Sequence, residues 1–239
     1  MDYKKVGRYF VLAILFFLPV TFLLLLYPAT HNYEPLEIVN QSVLDLDGFT
    51  SDTGEKIVLK NHITVLGFFG SKPMDNVTVA SNLKELVYDK FKGFKNFQIV
   101  IVMPNGAQEA AKKLKKEINA YEDMRFWHIV FSETEAIKKV YASLKSASDL
   151  DANLATNHVF IVDKDFYQRG RLDDRSDSEK AKKRPVYGLN DYDCIQVAEI
   201  KNKMSDDIRI LLTEYRQKRK GEFNSEIRRA NDLKGVKEE

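Results

Sequence analysis

The sequence predicts an α/β domain, a mixed β-sheet with helices on both faces, preceded by one N-terminal transmembrane helix. Three features carry that expectation. Apolar runs at 63–69, 97–103, 126–131 and 158–162 read as strands covered on both faces. Helical patterns follow the first three runs, so the strands they join are parallel crossovers. The uncharged stretch 9–27, YFVLAILFFLPVTFLLLLY, has about the 20 residues needed to cross a bilayer.

Lys4, Lys5 and Arg8 precede that stretch, whereas Glu34 and Glu37 follow it. The positive-inside rule places residues 1–8 in the cytoplasm and the remainder in a periplasmic or other extracytoplasmic space. Pro19 is tolerable in a membrane helix. A cleaved signal peptide is the rival reading, but the run exceeds a usual signal core and Tyr27-Pro28-Ala29 fits a cleavage site poorly. No cysteine follows the run, which excludes a lipoprotein signal. An uncleaved signal-anchor is the preferred expectation.

The 239 residues include one cysteine, Cys194. One thiol excludes an internal disulfide, a dithiol redox cycle and a cysteine-rich zinc site. A net charge of +2 with 30% charged residues describes a solvated surface and not the basic excess of a nucleic-acid binder.

Residues 28–35 read as a linker and 36–220 as the folded domain. Asp47-Gly48 and the turn at 53–56 predict a hairpin, with 57–59 as a short strand entering the main sheet. The strand at 63–69 breaks at Gly70-Ser71-Lys72-Pro73. A helix follows from about 76 to 91, with Val79, Leu83 and Leu86 inward. After the 97–103 strand, residues 107–121 form an amphipathic helix with Ala111, Leu114 and Ile118 on its apolar side. Ser132-Glu133-Thr134-Glu135 has the capping-box pattern and opens a helix burying Ile137, Val140, Tyr141 and Leu144. The strand at 158–162 turns at Asp163-Lys164-Asp165 and pairs back as a hairpin over 166–171. The segment 171–184, RLDDRSDSEKAKKR, is expected to be an exposed, partly disordered insertion. Residues 187–200 are ambiguous. Ser205 is expected to cap a final helix with Ile208, Leu211, Leu212 and Tyr215 inward and Gly221 as its stop. Residues 221–239 read as a basic, polar tail.

This order resembles a thioredoxin-like domain and, more narrowly, the Sco/SenC family of membrane-anchored copper chaperones and cytochrome oxidase assembly proteins. Two segments carry the resemblance: Val65-Leu66-Gly67-Phe68-Phe69-Gly70, and Val159-Phe160-Ile161-Val162-Asp163-Lys164-Asp165. The resemblance implies an outward-facing thioredoxin-like domain behind one membrane helix. The family's Cys-x-x-x-Cys pair would fall on Met74 and Thr78. Its ligand histidine would fall near Ala155, with His158 several residues late. No proline lies between Pro104 and Pro185 to supply a thioredoxin-type cis-proline. The resemblance therefore implies a degenerate member with no dithiol and no catalytic residue.

Three functional readings follow. The first is a non-redox, membrane-anchored protein acting through a membrane protein partner, as an accessory factor in respiratory oxidase or envelope assembly. The second is a Cu(I) chaperone using Met74 and a histidine, His158, with copper as its cofactor; a gap-filling methionine is the commoner role. The third is a thiol enzyme using Cys194, disfavoured because neighbouring aspartates oppose a thiolate. No two of the four histidines, His31, His62, His128 and His158, have metal-ligand spacing. The basic run Arg216, Lys218, Arg219 and Lys220 is a candidate docking face for a partner or anionic lipid. Asn40-Gln41-Ser42 and Asn76-Val77-Thr78 match the glycosylation pattern.

Overall fold

In a computed structural model of the chain, residues 3–26, 35–119 and 124–221 are described, with side chains omitted at 3–10, 23, 25 and 26. Two units are present, Met1–Glu34 and Pro35–Glu239. The first contains helix α1, Tyr3–Leu26, with Pro19 inside it. Among the described residues no helix is long and apolar enough to cross a membrane. Most of the expected linker, His31 and the tail beyond Gly221 lie outside the described residues.

The second unit is built on an eight-stranded mixed sheet. Its strands are β1 (Glu37–Asn40), β2 (Thr50–Ser51), β3 (Ile63–Phe69), β4 (Phe97–Pro104), β5 (Trp127–Ser132), β6 (Ala155–Val162), β7 (Gln168–Gly170) and β8 (Tyr192–Asp193). The order is β1-β7-β6-β3-β4-β5-β2, with β8 beside β6. β3, β4 and β5 are parallel, whereas β6 runs antiparallel to β3 and β7 antiparallel to β6. A parallel strand–helix–strand core followed by an antiparallel hairpin and a terminal helix is the thioredoxin-like arrangement expected from the sequence.

Strand alternation sorts the core onto two faces. One face joins Val65, Ile99, Ile129 and Val159 to the helices α2 (Val77–Leu83), α4 (Gln108–Ile118) and α7 (Ser205–Lys220). The other joins Leu66, Val100, Val130 and Phe160 to α5 (Thr134–Ala142). After α2 the helix loosens into a π-helical turn, Lys84–Tyr88, and closes as the short helix α3, Asp89–Phe91.

Several local expectations are corrected. Ile57–Leu59 forms no strand, and the stretch before β3 makes no hairpin. Instead β1 pairs with β7 at one edge of the sheet and β2 with β5 at the other. These sites are far apart in sequence, so local turn signals could not show them. Ser132 ends β5 and does not cap α5, whose N-cap is Glu133. Ser205 lies inside a continuous helix because a π-helical turn, Glu199–Met204, precedes α7; its hydroxyl donates to the Ile200 carbonyl. Gly221 does end α7, with φ of 71°. Ala107 is the N-cap of α4, and Tyr121, expected in that helix, lies outside the described residues.

The charged insertion is ordered. Helix α6, Asp177–Ala181, sits within it, opened by a complete capping box between Ser176 and Glu179. Arg171 bridges to Asp207 at 2.9 Å and to Asp174 at 3.0 Å. Composition alone predicts disorder because it cannot register partners that arrive from α7.

Candidate functional site

The sequence makes β3 apolar until Gly70, where φ reaches +65°. A Cβ there would stand 2.2 Å from the Asn153 carbonyl oxygen, so only glycine fits without a shift. The Ser71 amide donates to that same oxygen at 2.9 Å. Asn76 is buried and its side-chain amide donates to the Phe69 carbonyl at 3.2 Å. Opposite stands the loop before β6. Asp151 accepts from the amides of Asn153 and Ala155, both at 2.8 Å, and Leu154 takes a φ of 65°. The loop thus packs its own backbone onto the corner that follows β3.

Met74 lies in a 3-10 turn, Pro73–Asn76, and is 41% exposed. Thr78, in the first turn of α2, is also exposed. Ala155 lies opposite Phe69, beside the corner. With an alanine methyl at that point, no donor for a metal is supplied there.

His158 belongs to a different cluster. Its Nδ1 is 2.9 Å from Asp191 Oδ1. Asp191 Oδ2 accepts from Ser146 Oγ at 3.0 Å and from the Ala147 amide at 2.8 Å. Tyr141 donates in turn to Ser146 at 2.9 Å. The hydrogen bond that His158 donates to Asp191 raises the His158 pKa against the opposing effect of partial burial. Burial pushes Asp191 upward, but His158 and the Ala147 amide outweigh it and the carboxyl sits below its ordinary value. Beside this chain is a cavity of about 380 Å³ walled by Tyr141, Leu144, Ser148 and Leu154. Tyr141 packs edge-on against Phe68 and Phe160, so the cluster lies on the α5 face. The turn holding Met74 leads into α2, which covers the other face. His158 Nδ1 is thus engaged by Asp191, and Met74 stands in the turn between β3 and α2.

Among the described residues no group of three His, Cys, Asp or Glu side chains is placed to hold a metal. His62 sits beside the Lys60 carbonyl at 3.0 Å, and burial lowers the pKa of His128 in β5. Cys194 is fully buried, and burial pushes its thiol far above the usual range. Its amide donates to Asn157 and its carbonyl accepts from Asn82, so its backbone joins β6 to α2. Asn40 donates to Ser143 O at 2.6 Å and Asn76 is buried, so both glycosylation patterns fall on engaged side chains.

At the basic end, Lys218 pairs with Glu214 at 2.9 Å and lies over the Tyr215 ring, whereas Arg216, Arg219 and Lys220 are exposed. Glu214 belongs to a buried charge cluster absent from the sequence reading. Arg169 donates to Asp163, to Glu214 at 3.4 Å and to the Leu36 carbonyl at 3.0 Å. The visible clue was helical spacing: Glu214 is three residues after Leu211 and Asp207 four before it, both on the core stripe of α7. An acid at such a position announces a buried cation.

No protein-family model matches the chain, and no curated protein matches it. Solved structures do. A SCO1/SenC family lipoprotein from Bacillus anthracis is 16% identical over 74% of this chain and 97% of that one, with a TM-score of 0.48. ScoI from Bradyrhizobium japonicum, solved with copper bound, is 12% identical over 72% and 99%, with a TM-score of 0.39. The thioredoxin domain of a thiol-disulfide oxidoreductase from Bacteroides vulgatus is 18% identical over 57% and 86%, with a TM-score of 0.37.

Proposed function

We propose that the chain is a thioredoxin-like binding module held at the outer face of a membrane by residues 9–27, and that it works by contact and not by thiol exchange. Cys194 carries this reading. It is the one thiol of the sequence, and it is fully buried with its pKa pushed up. A thiol held protonated and out of solvent neither attacks a disulfide nor binds a soft metal. Met74 and Thr78 present exposed, unreactive side chains where the resembled family has its pair. A partner in respiratory oxidase or envelope assembly is the class that the Sco/SenC resemblance implies.

A photo-crosslinker placed at Thr78 in the full chain tests the reading in intact cells. The expected product is a crosslink to a membrane protein that persists in Cys194→Ala and is missing when the crosslinker stands at Lys112, on the exposed side of α4. A crosslink lost on blocking Cys194, or none from Thr78, would overturn it.

A further inference from the structure

The ordered excursion between β7 and β8 carries a surface that the thioredoxin-like core does not need. Its tip is locked at both ends. The capping box of Ser176 and Glu179 opens α6. At the other end the Lys183 amide donates to the Lys180 carbonyl and the Arg184 amide to the Glu179 carbonyl, both at 3.0 Å, which is a Schellman closure. Arg175 clamps the Arg184 carbonyl at 2.6 Å, and the Tyr187 hydroxyl donates to Glu179 at 3.0 Å.

Lys183 occupies the left-handed position of that closure, with φ of 53°. Glycine or asparagine is the usual residue there. Lys180, Lys182, Lys183 and Arg184 are exposed, and no ion pair engages their side chains among the described residues. Most acids of the excursion are occupied: Asp173 with Arg175, Asp174 with Arg171 and Lys203, Glu179 with Ser176 and Tyr187. Among the described residues of the excursion, Asp177 is the exposed acid that no ion pair engages. Next to the four cations stand Val186, 62% exposed, and Tyr187, 47% exposed. Cations beside an exposed aliphatic and a tyrosine suit a headgroup layer, where charge meets phosphate and amphipathic rings settle.

The root of the excursion fixes where it stands on the domain. The Leu172 amide donates to Glu37 Oε2 at 2.6 Å, and Gly170 pairs with Glu37. Glu37 begins β1, directly after the linker 28–35, which spans about 28 Å if fully extended. The excursion therefore rises from the place where the chain enters the domain from its apolar N-terminal segment.

We propose that the knob 176–187 is a membrane-contact surface: Lys180, Lys182, Lys183 and Arg184 bind anionic phospholipid headgroups, and Val186 and Tyr187 enter the headgroup boundary. This rests on the anchored reading above. It gives the anchored domain a second attachment. Screening by salt should weaken the attachment, as for any exposed charge contact.

The test uses the full chain with Val186→Cys labelled by an environment-sensitive NBD dye; Cys194 is buried and escapes labelling. The protein is reconstituted into vesicles of phosphatidylcholine alone, or of phosphatidylcholine with phosphatidylglycerol. The expected result is a blue shift of NBD emission, and quenching by spin-labelled lipid, only when phosphatidylglycerol is present. Both should vanish at high salt and when the four cations are changed to Gln, and survive Lys182→Arg with Lys183→Arg. Flotation on the same samples separates the two readings. A chain that floats with both vesicles while the dye stays aqueous overturns the knob contact, leaves the anchor standing and points to an acidic protein face. An equal shift in both lipids also overturns it, because the cations would then be idle. A chain that floats with neither overturns the anchored reading and the knob contact together.

Discussion

Arg169 and the knob cations lie within fifteen positions of one another, yet they face opposite demands. Arg169, Asp163 and Glu214 are each at most 1% exposed. Burial works against the guanidinium charge, but Asp163 and Glu214 overcome it and its pKa is raised. Lys182 and Lys183 are exposed, and no ion pair engages them among the described residues. A buried charge must have its partners built into the fold, whereas an exposed one is left available for something outside it. The difference separates charges that hold the domain together from charges that it presents.

Removing the buried cation should have the largest effect. Arg169→Met leaves Asp163 buried without its cation and removes one of the two cations at Glu214, which keeps Lys218, and a loss of about 3–5 kcal/mol is expected. Urea unfolding of the full chain in mild detergent, followed by the fluorescence of Trp127, reads it directly; that tryptophan is the only one in the sequence and is buried. A loss below about 1 kcal/mol would mean that the cluster is not the closed unit described.

His158 and Asp191 stand between the extremes, with side chains 27% and 6% exposed. The folded state raises the His158 pKa above its ordinary 6.5, so its contribution is complete below that value and is lost as pH rises through the raised one. Asp191 is lowered from 3.8, so its contribution is present above that value and is lost as pH falls through the lowered one. The pair is strongest in the mildly acidic window between them. From pH about 6 to about 9 the wild type should lose on the order of 1 kcal/mol more than His158→Gln. Equal losses in the two proteins would show that His158 is not charged in that window.

The smallest effect belongs to the knob. Changing Lys180, Lys182, Lys183 and Arg184 together to Gln should move the unfolding midpoint by no more than about 0.5 kcal/mol. A larger destabilisation would place those cations with Arg169, as parts of the fold.

The strands of the core were legible because each is a continuous apolar run, and the parallel order followed from the helices between them. Cys194 was legible as a poor nucleophile from its aspartate neighbours. The edge strands were not, since β1 finds β7 some 130 positions later. Asp191 lay in a stretch without periodicity, and its role depends on Ser146 and His158 arriving from two other elements. The knob was misread for the same reason. Its composition is that of a solvated coil, and its order comes from Asp207, Glu37 and a Schellman closure that no hydropathy pattern records.

The sequence by itself determined the layered α/β fold and the absence of any dithiol, because apolar periodicity and residue count are local properties. It also marked Met74 and Thr78 as the residues at the corner after β3. Only the tertiary structure decided that Asn153 closes that corner, that His158 belongs to Asp191 on the other face, and that the charged insertion is a firm knob at the domain's entry. Those outcomes depend on partners distant in sequence, and a charge or a donor acquires its role only when the fold fixes what it meets.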